Sequence, residues 1–198
     1  MMKIYIDDRE VQVEKGMTIF KAAENFGIEI PHLCYHPAFP PEGTCRMCLV
    51  EIEGLPKLEL ACSTQVKEGM KVHTKSEKVV EVRKGVLEFL LAEHPLDCPI
   101  CDQAGDCKLQ DYYEEYGLFD NNFSESKDRR EKKIRLGKYL IHDNERCVLC
   151  RRCVRFLQEV VGTGEMGVFE RGADTEVNIL DRIQVDNNYS GNLAQLCP

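Results

Sequence analysis

Eleven cysteines in 198 residues fall into three groups whose spacing suits metal binding. The first group, Cys34, Cys45, Cys48 and Cys62, reads C-x10-C-x2-C-x13-C. The second, Cys98, Cys101 and Cys107, reads C-x2-C-x5-C. The third, Cys147, Cys150 and Cys153, reads C-x2-C-x2-C, and Cys197 follows far downstream, just before Pro198. Thiolates are soft ligands for zinc or for iron–sulfur clusters. A centre with four protein ligands would leave the middle group one short. His94, four residues before Cys98, fills the gap as H-x3-C-x2-C-x5-C and brings the count to three sets of four.

Spacing limits what each set can hold. The cysteine count is odd, and the cysteine fraction falls below the ~8–10% of a disulfide scaffold. Tetrahedral zinc accepts four cysteines, or three cysteines and a histidine, but zinc ribbons usually pair two separate C-x2-C units, and none of these groups contains two separate ones. The first group resembles the ferredoxin pattern C-x4-C-x2-C…C with a longer first loop. On an ideal helix Cys147, Cys150 and Cys153 would spread over about 9 Å of axis, at ~1.5 Å per residue. That is too long for one compact centre, so a loop must wrap the metal before the helix begins. Such a loop also aims backbone N–H groups at the sulfurs. In the bacterial run C-x2-C-x2-C-x3-C-P the fourth cysteine serves a second cluster. Here Leu157 takes that place, and Cys197-Pro198 looks like the surviving end of a second half. On that reasoning Cys147, Cys150, Cys153 and Cys197 share one [4Fe–4S] cluster.

The elements that must position these groups can be read in outline. Lys3–Ile6 and Val11–Glu14 alternate apolar and polar, with a turn at Asp7-Asp8, and predict a hairpin. Thr18 predicts the cap of a helix that buries Ile19, Ala22, Ala23 and Phe26 and stops at Gly27. Leu49–Glu53, Leu58–Leu60 and Lys71–Thr74 are strand candidates, giving a small α+β domain over 1–75. Ser76 predicts a second cap, before a stripe of Val79, Val82, Val86 and Leu90 that reads as packing, and Pro95 ends that helix beside His94. The stretch 119–138 reads as a charged, solvated connector between a domain over 76–118 and another over 139–198. A further helix is predicted from about Arg151 to Val161, stopping at Gly162, with strands near Tyr139–Ile141, Val168, Val177–Leu180 and Ile183–Val185.

Charge and hydropathy narrow the class further. Thirty-four acidic against 26 basic residues give a formal charge of −8, which argues against a nucleic-acid surface. The longest apolar run, Gly85–Ala92, is far short of the ~18 residues needed to span a bilayer. The first residues lack the apolar core of a signal peptide, so the chain reads as soluble and intracellular. No nucleophile–base constellation and no Gly-rich phosphate loop is visible, so no catalytic residue is expected. His32, His36, His73 and His142 read as ordinary loop or strand-end residues. Met47 reads as packing over the first centre. Arg146, Arg151, Arg152 and Arg155 could offset cluster charge, face a partner, or simply be solvated.

The string His94-Pro95-Leu96-Asp97-Cys98-Pro99-Ile100-Cys101-Asp102-Gln103-Ala104-Gly105-Asp106-Cys107 closely resembles the mixed-ligand signature of the large iron–sulfur subunits of bacterial respiratory complex I, NADH:quinone oxidoreductase. Cys45-Arg46-Met47-Cys48, preceded by Pro41-Glu42-Gly43-Thr44, looks like their [2Fe–2S] loop, and Ser190-Gly191-Asn192-Leu193 before Cys197-Pro198 looks like their closing segment. The resemblance implies an α+β architecture in three parts. A β-grasp ferredoxin-like domain would carry a [2Fe–2S] cluster on Cys34, Cys45, Cys48 and Cys62. A small helical domain would carry a [4Fe–4S] cluster on His94, Cys98, Cys101 and Cys107. A ferredoxin-like domain would carry a second [4Fe–4S] cluster on Cys147, Cys150, Cys153 and Cys197. It also implies electron transfer from a flavin- and NADH-binding subunit and its small [2Fe–2S] partner, through these clusters, towards quinone. The chain would sit among other peripheral-arm subunits on the cytoplasmic face of the inner membrane, with no membrane insertion of its own. Asp97 and Asp102 are candidates to accept a hydrogen bond from the free nitrogen of His94.

Chains of this family continue into a large domain resembling molybdopterin oxidoreductases. This one ends one residue after Cys197, so its last domain reads as truncated or as a piece of a longer chain. The same module occurs in NAD-reducing hydrogenases and NAD-linked formate dehydrogenases. Those relatives typically carry a full pair of four-cysteine repeats, so Leu157 and the lone Cys197 favour complex I. A zinc scaffold that only organises partners is the alternative of a different class.

Overall fold

The computed structural model describes residues 1–117, 122–180 and 183–198, so the first residues of the expected connector, and the last of the domain before it, lie outside the described residues. The chain divides into two compact units. One is built from Met1–Tyr35, Pro41–Glu88 and a stretch that begins at Gln110. The other holds His36–Pro40, Phe89–Leu109 and the C-terminal part of the chain.

In the first unit the alternating pattern makes strands β1 (Met2–Ile6) and β2 (Arg9–Val13), paired antiparallel with Ile4 opposite Val11. Asp7 and Asp8 both take positive φ, 47° and 65°. Paired left-handed residues match the twist of a hairpin, and aspartate tolerates that conformation. β3 (Leu49–Ile52), β4 (Glu59–Leu60) and β5 (Lys71–His73) complete a mixed sheet in the order β2-β1-β5-β3-β4, with β1 and β5 parallel. The alternate residues Ile4, Ile6, Val11, Val13, Val50 and Val72 form one buried core with Ile19, Ala22 and Ala23 of helix α1 (Ile19–Asn25). The Thr18 hydroxyl caps α1 by accepting the Lys21 N–H at 3.2 Å. Replacing Thr18 with alanine should therefore cost about 1 kcal/mol, read as a lower urea midpoint at an unchanged slope. An unchanged midpoint would show that the cap contributes nothing.

Helix α2 (Glu77–Ala92) forms as expected after Ser76, whose hydroxyl accepts the Val79 N–H. Its fully buried row is different from the predicted stripe: Val79, Arg83 and Leu87. Val82, Val86 and Leu90 are only partly buried, because the row one position on carries an arginine that finds internal acceptors. Helix α3 (Lys108–Tyr116) is not evident from the sequence, since its polar composition hides the buried Leu109, Tyr112 and Tyr116.

In the second unit the short pair β6 (Ile134–Arg135) and β7 (Ile141–His142), the hairpin β8 (Met166–Phe169) and β9 (Glu176–Ile179), and helices α4 (Arg152–Arg155) and α5 (Asn192–Leu196) surround a core of Phe39, Leu136, Val154, Phe156, Leu157, Met166, Val177, Val185 and Leu193. α4 continues as a wider π-helical turn over Phe156–Val161 and stops at Gly162, at φ 80°. Ile183–Val185 is not a strand; its Val185 N–H donates to the Leu136 carbonyl at 2.9 Å. The described part of the connector is mostly exposed but does not float in solvent. Lys127 donates to the carbonyls of Leu91 and Ala92 at 2.6 Å and so caps the C-terminus of α2. Arg130 reaches the Thr175 carbonyl at 3.2 Å. Among the described residues no helix is long and apolar enough to cross a membrane.

Candidate metal centres

The first set lies wholly within the first unit, on the loops around the β3–β4 edge, and all four cysteines are buried. Their sulfurs meet two by two: Cys34 with Cys45, and Cys48 with Cys62. In each pair one thiol donates to the other. The Cys45 thiol lowers Cys34 and is itself raised. Cys48 is raised by the same contact with Cys62, which is lowered. The two pairs also feel one another's charge. A tetrahedral iron that shares two bridging sulfides has two positions left for protein sulfur, so a two-iron centre requires two pairs. This donor set fits one.

The loop is shaped for an anion. Arg46, between Cys45 and Cys48, takes φ 59°, a left-handed conformation that turns successive N–H groups to one side. The Leu33 N–H donates to the Cys45 sulfur at 3.4 Å, and Thr44 donates to Cys34. Gly43, at φ 76°, approaches Leu60 so closely that a Cβ would stand 2.7 Å from its Cδ1. Met47 is completely buried, and its carbonyl and that of Leu49 receive the Arg83 guanidinium at 3.3 and 3.1 Å.

The third set lies in the second unit. Cys147 and Cys150 stand on irregular chain, as their spacing demands, whereas Cys153 already belongs to the first turn of α4. Leu149 at φ 52° and Arg151 at φ 61° supply the reversals. The Leu149 N–H donates to the Cys147 sulfur, although burial still raises that thiol to about 11. Burial also raises Cys153, which feels the charges of Cys150, Cys147 and Cys197. Arg152 is buried and donates to the Leu196 carbonyl at 3.3 Å, and its charge favours the Cys197 thiolate. Arg155 is occupied structurally, by Glu159 at 2.9 Å and the face of Phe39.

The second set is the most open. Cys98 is exposed, and Cys101 and Cys107 are half-buried. A short 3-10 turn, Cys98–Ile100, and Gly105 at φ 86° fold this loop. Gln103 donates from within it to the Cys197 carbonyl at 3.3 Å, and the charges of Cys101 and Cys107 act on Cys197. The second and third sets are thus neighbours in one unit, which their separation in sequence does not show. His94 follows the end of α2 and is half-buried, and that burial lowers its pKa. Asp97 does not serve it as an acceptor: its carboxylate takes Lys132 and the Arg146 Nε and Nη2, the latter two at 3.2 and 3.1 Å. Lys132 also pairs with Glu145 at 2.8 Å. This charged web ties the loop before Cys98 to the segment before Cys147.

The other histidines are ordinary. His73 pairs with Glu53 at 3.1 Å, His142 with Asn144 at 2.8 Å, and His32 stacks edge-on against Phe20. Among the described residues no three histidine, cysteine or acidic side chains close on a point as they would around a single ion.

Three known family models match successive parts of the chain. Residues 1–77 match a 2Fe-2S iron-sulfur cluster binding domain. Residues 83–121 match the NADH-ubiquinone oxidoreductase-G iron-sulfur binding region, and 137–198 match the ferredoxin-like domain of NADH-quinone oxidoreductase subunit 3. A G-type subunit of NADH-quinone oxidoreductase from Rhizobium meliloti, the one numbered 2, is 45% identical over all of this chain, which covers 23% of that protein. The corresponding G-type subunit of Rickettsia bellii is 44% identical, with 29% of it covered, and the NADH-ubiquinone oxidoreductase 75 kDa subunit of Reclinomonas americana is 44% identical, with 28% covered. The chain therefore spans under a third of the length of these curated relatives. A chain of an NAD+-reducing [NiFe]-hydrogenase, solved in the H2-reduced state, superposes with a TM-score of 0.82 at 31% identity, covering 91% of this chain and 76% of that one. The mixed α and β structure carries a 2Fe–2S domain and 4Fe–4S-binding domains, and the chain belongs to the family of G-type iron–sulfur subunits of NADH-quinone oxidoreductase, matching their N-terminal part.

Proposed function

We propose that this chain is an electron-transfer subunit of NADH:quinone oxidoreductase, respiratory complex I. It would accept electrons from a flavin- and NADH-binding subunit with its small [2Fe–2S] partner, and pass them towards quinone among other peripheral-arm subunits. The observation that carries the reading is the gathering of four buried thiols in two contacting pairs on an anion-shaped loop.

The chain divides, on this reading, into a β-grasp ferredoxin-like domain over 1–75, a helical domain over 76–118, the connector and a ferredoxin-like domain over 139–198. The strand order β2-β1-β5-β3-β4 supports the first of these. Cys34, Cys45, Cys48 and Cys62 hold a [2Fe–2S] cluster; His94, Cys98, Cys101 and Cys107 hold one [4Fe–4S] cluster; Cys147, Cys150, Cys153 and Cys197 hold another. When bound, such clusters take up and release single electrons with little rearrangement. The residues of the chain do the rest. Thiolates and one neutral imidazole fix the clusters, and N–H groups from Leu33, Thr44 and Leu149 temper the sulfur charge. His94 in place of a thiolate raises the potential of its cluster.

The likeness to the hydrogenase chain supports a second reading, as the iron–sulfur subunit of an NAD-reducing hydrogenase. Higher identity to the G-type subunits, and Leu157 where a repeat cysteine would stand, favour the first. Iron and acid-labile sulfide analysis of anaerobically purified protein tests both against a zinc scaffold. About ten irons per chain are expected, from one two-iron and two four-iron centres. Zinc without sulfide would end both iron–sulfur readings, and the chains that co-purify, membrane subunits or a hydrogenase, separate the two. In the same preparation His94→Ala should alter one four-iron EPR signal only; an unchanged spectrum would remove His94 from the ligands.

A further inference from the structure

We propose that Arg83 is the buried countercharge and positioning residue of the Cys34, Cys45, Cys48 and Cys62 centre, setting its reduction potential upward by a permanent charge held against the Cys48 limb of the loop. The proposal rests on the reading of that set as a [2Fe–2S] site.

Arg83 is 0% exposed, the largest fully buried side chain of the described residues. Its three hydrogen-bond partners are all neutral. Nε donates to the Met47 carbonyl at 3.3 Å and Nη2 to the Leu49 carbonyl at 3.1 Å, so one guanidinium brackets Cys48 on both sides. Nη1 donates to the Tyr116 hydroxyl at 3.0 Å, and the cation lies 5.3 Å from the Tyr116 ring centroid. Burial, and a hydrogen bond to the Glu115 carboxylate, push the Tyr116 phenol up to about 12, so it stays uncharged at neutral pH. Among the described residues no carboxylate pairs with Arg83.

A guanidinium does not lose its proton in a protein, and an unpaired buried charge is costly. Two carbonyls and a phenol satisfy its hydrogen bonds, and no carboxylate is among these direct partners. Four thiolates and two sulfides outweigh two ferric ions, so the bound centre is anionic and each added electron makes it more so. The arginine therefore stabilises the reduced form more than the oxidised form. The fork geometry also explains the choice of arginine, since a lysine could not reach both carbonyls with two directed donors.

The test is an EPR-monitored redox titration of the holoprotein carrying Arg83→Met, Arg83→Gln or Arg83→Lys. Met and Gln should each shift the [2Fe–2S] reduction equilibrium about tenfold towards the oxidised form, which is about 59 mV lower for one electron. Lys should retain most of the wild-type potential, and the four-iron signals should not move. Should the neutral variants fail to load the centre, loading by Lys alone supports the charge. Potentials unchanged in Met and Gln, or equal loss in all three variants, overturn the proposal. Absence of any two-iron signal in the wild type would instead remove the site reading itself.

Discussion

Cys48→Ala is expected to erase the two-iron EPR signal and about two irons per chain, and to leave both four-iron signals in place. The sulfur lost is one of the most buried in the chain, 1% exposed, and it forms one of the two thiol pairs. With one pair broken, one iron has a single protein ligand. Selectivity follows because Cys34, Cys45, Cys48 and Cys62 all belong to the first unit, and the other eight proposed ligands belong to the second. Loss of four-iron signal from this substitution would contradict the partition. So would retention of an unaltered two-iron signal, which would mean that the pair is an ordinary buried contact between thiols.

Leu157→Ala is expected to destabilise the second unit by about 2–5 kcal/mol, the range for emptying a core leucine site. Leu157 is 0% exposed and packs with Phe39, Val154, Phe156, Met166 and Val177. Its carbonyl also accepts the Thr163 and Gly164 N–H groups at 2.9 and 3.2 Å, which closes the π-helical turn behind Cys153. The main-chain contacts survive the substitution, so the loss is that of packing. Urea unfolding followed by far-UV circular dichroism should show the lower midpoint, together with earlier loss of four-iron absorbance. A fall below about 1 kcal/mol would place Leu157 at a site that collapses freely, which the observed packing does not suggest.

This leucine also shows how a site can be read from what is missing. In the ferredoxin repeat its position carries a cysteine for a second cluster. Here the position is filled by a core side chain, so the run itself offers three thiols, and on the proposed reading the fourth donor is Cys197. Linear spacing exposes that need because ligand identity is a local property of the chain. The same holds for the hairpin at Asp7-Asp8, the cap at Thr18 and the stop at Gly162, which depend on a few adjacent residues.

Sequence alone therefore determined three spaced groups of candidate ligands and the short elements whose hydrophobic period is clean. Tertiary structure decided the rest. The division of four thiols into Cys34 with Cys45 and Cys48 with Cys62 depends on the return of distant loops. The engagement of Asp97 by Lys132 and Arg146, in place of His94, depends on charges far apart in the chain finding one another. Arg83 is the clearest case: in a helix pattern an arginine reads as solvent-facing, because burying its charge is unfavourable until acceptors are supplied. Those acceptors are carbonyls some 36 and 34 residues away and a tyrosine 33 residues away, and only the folded chain brings them together.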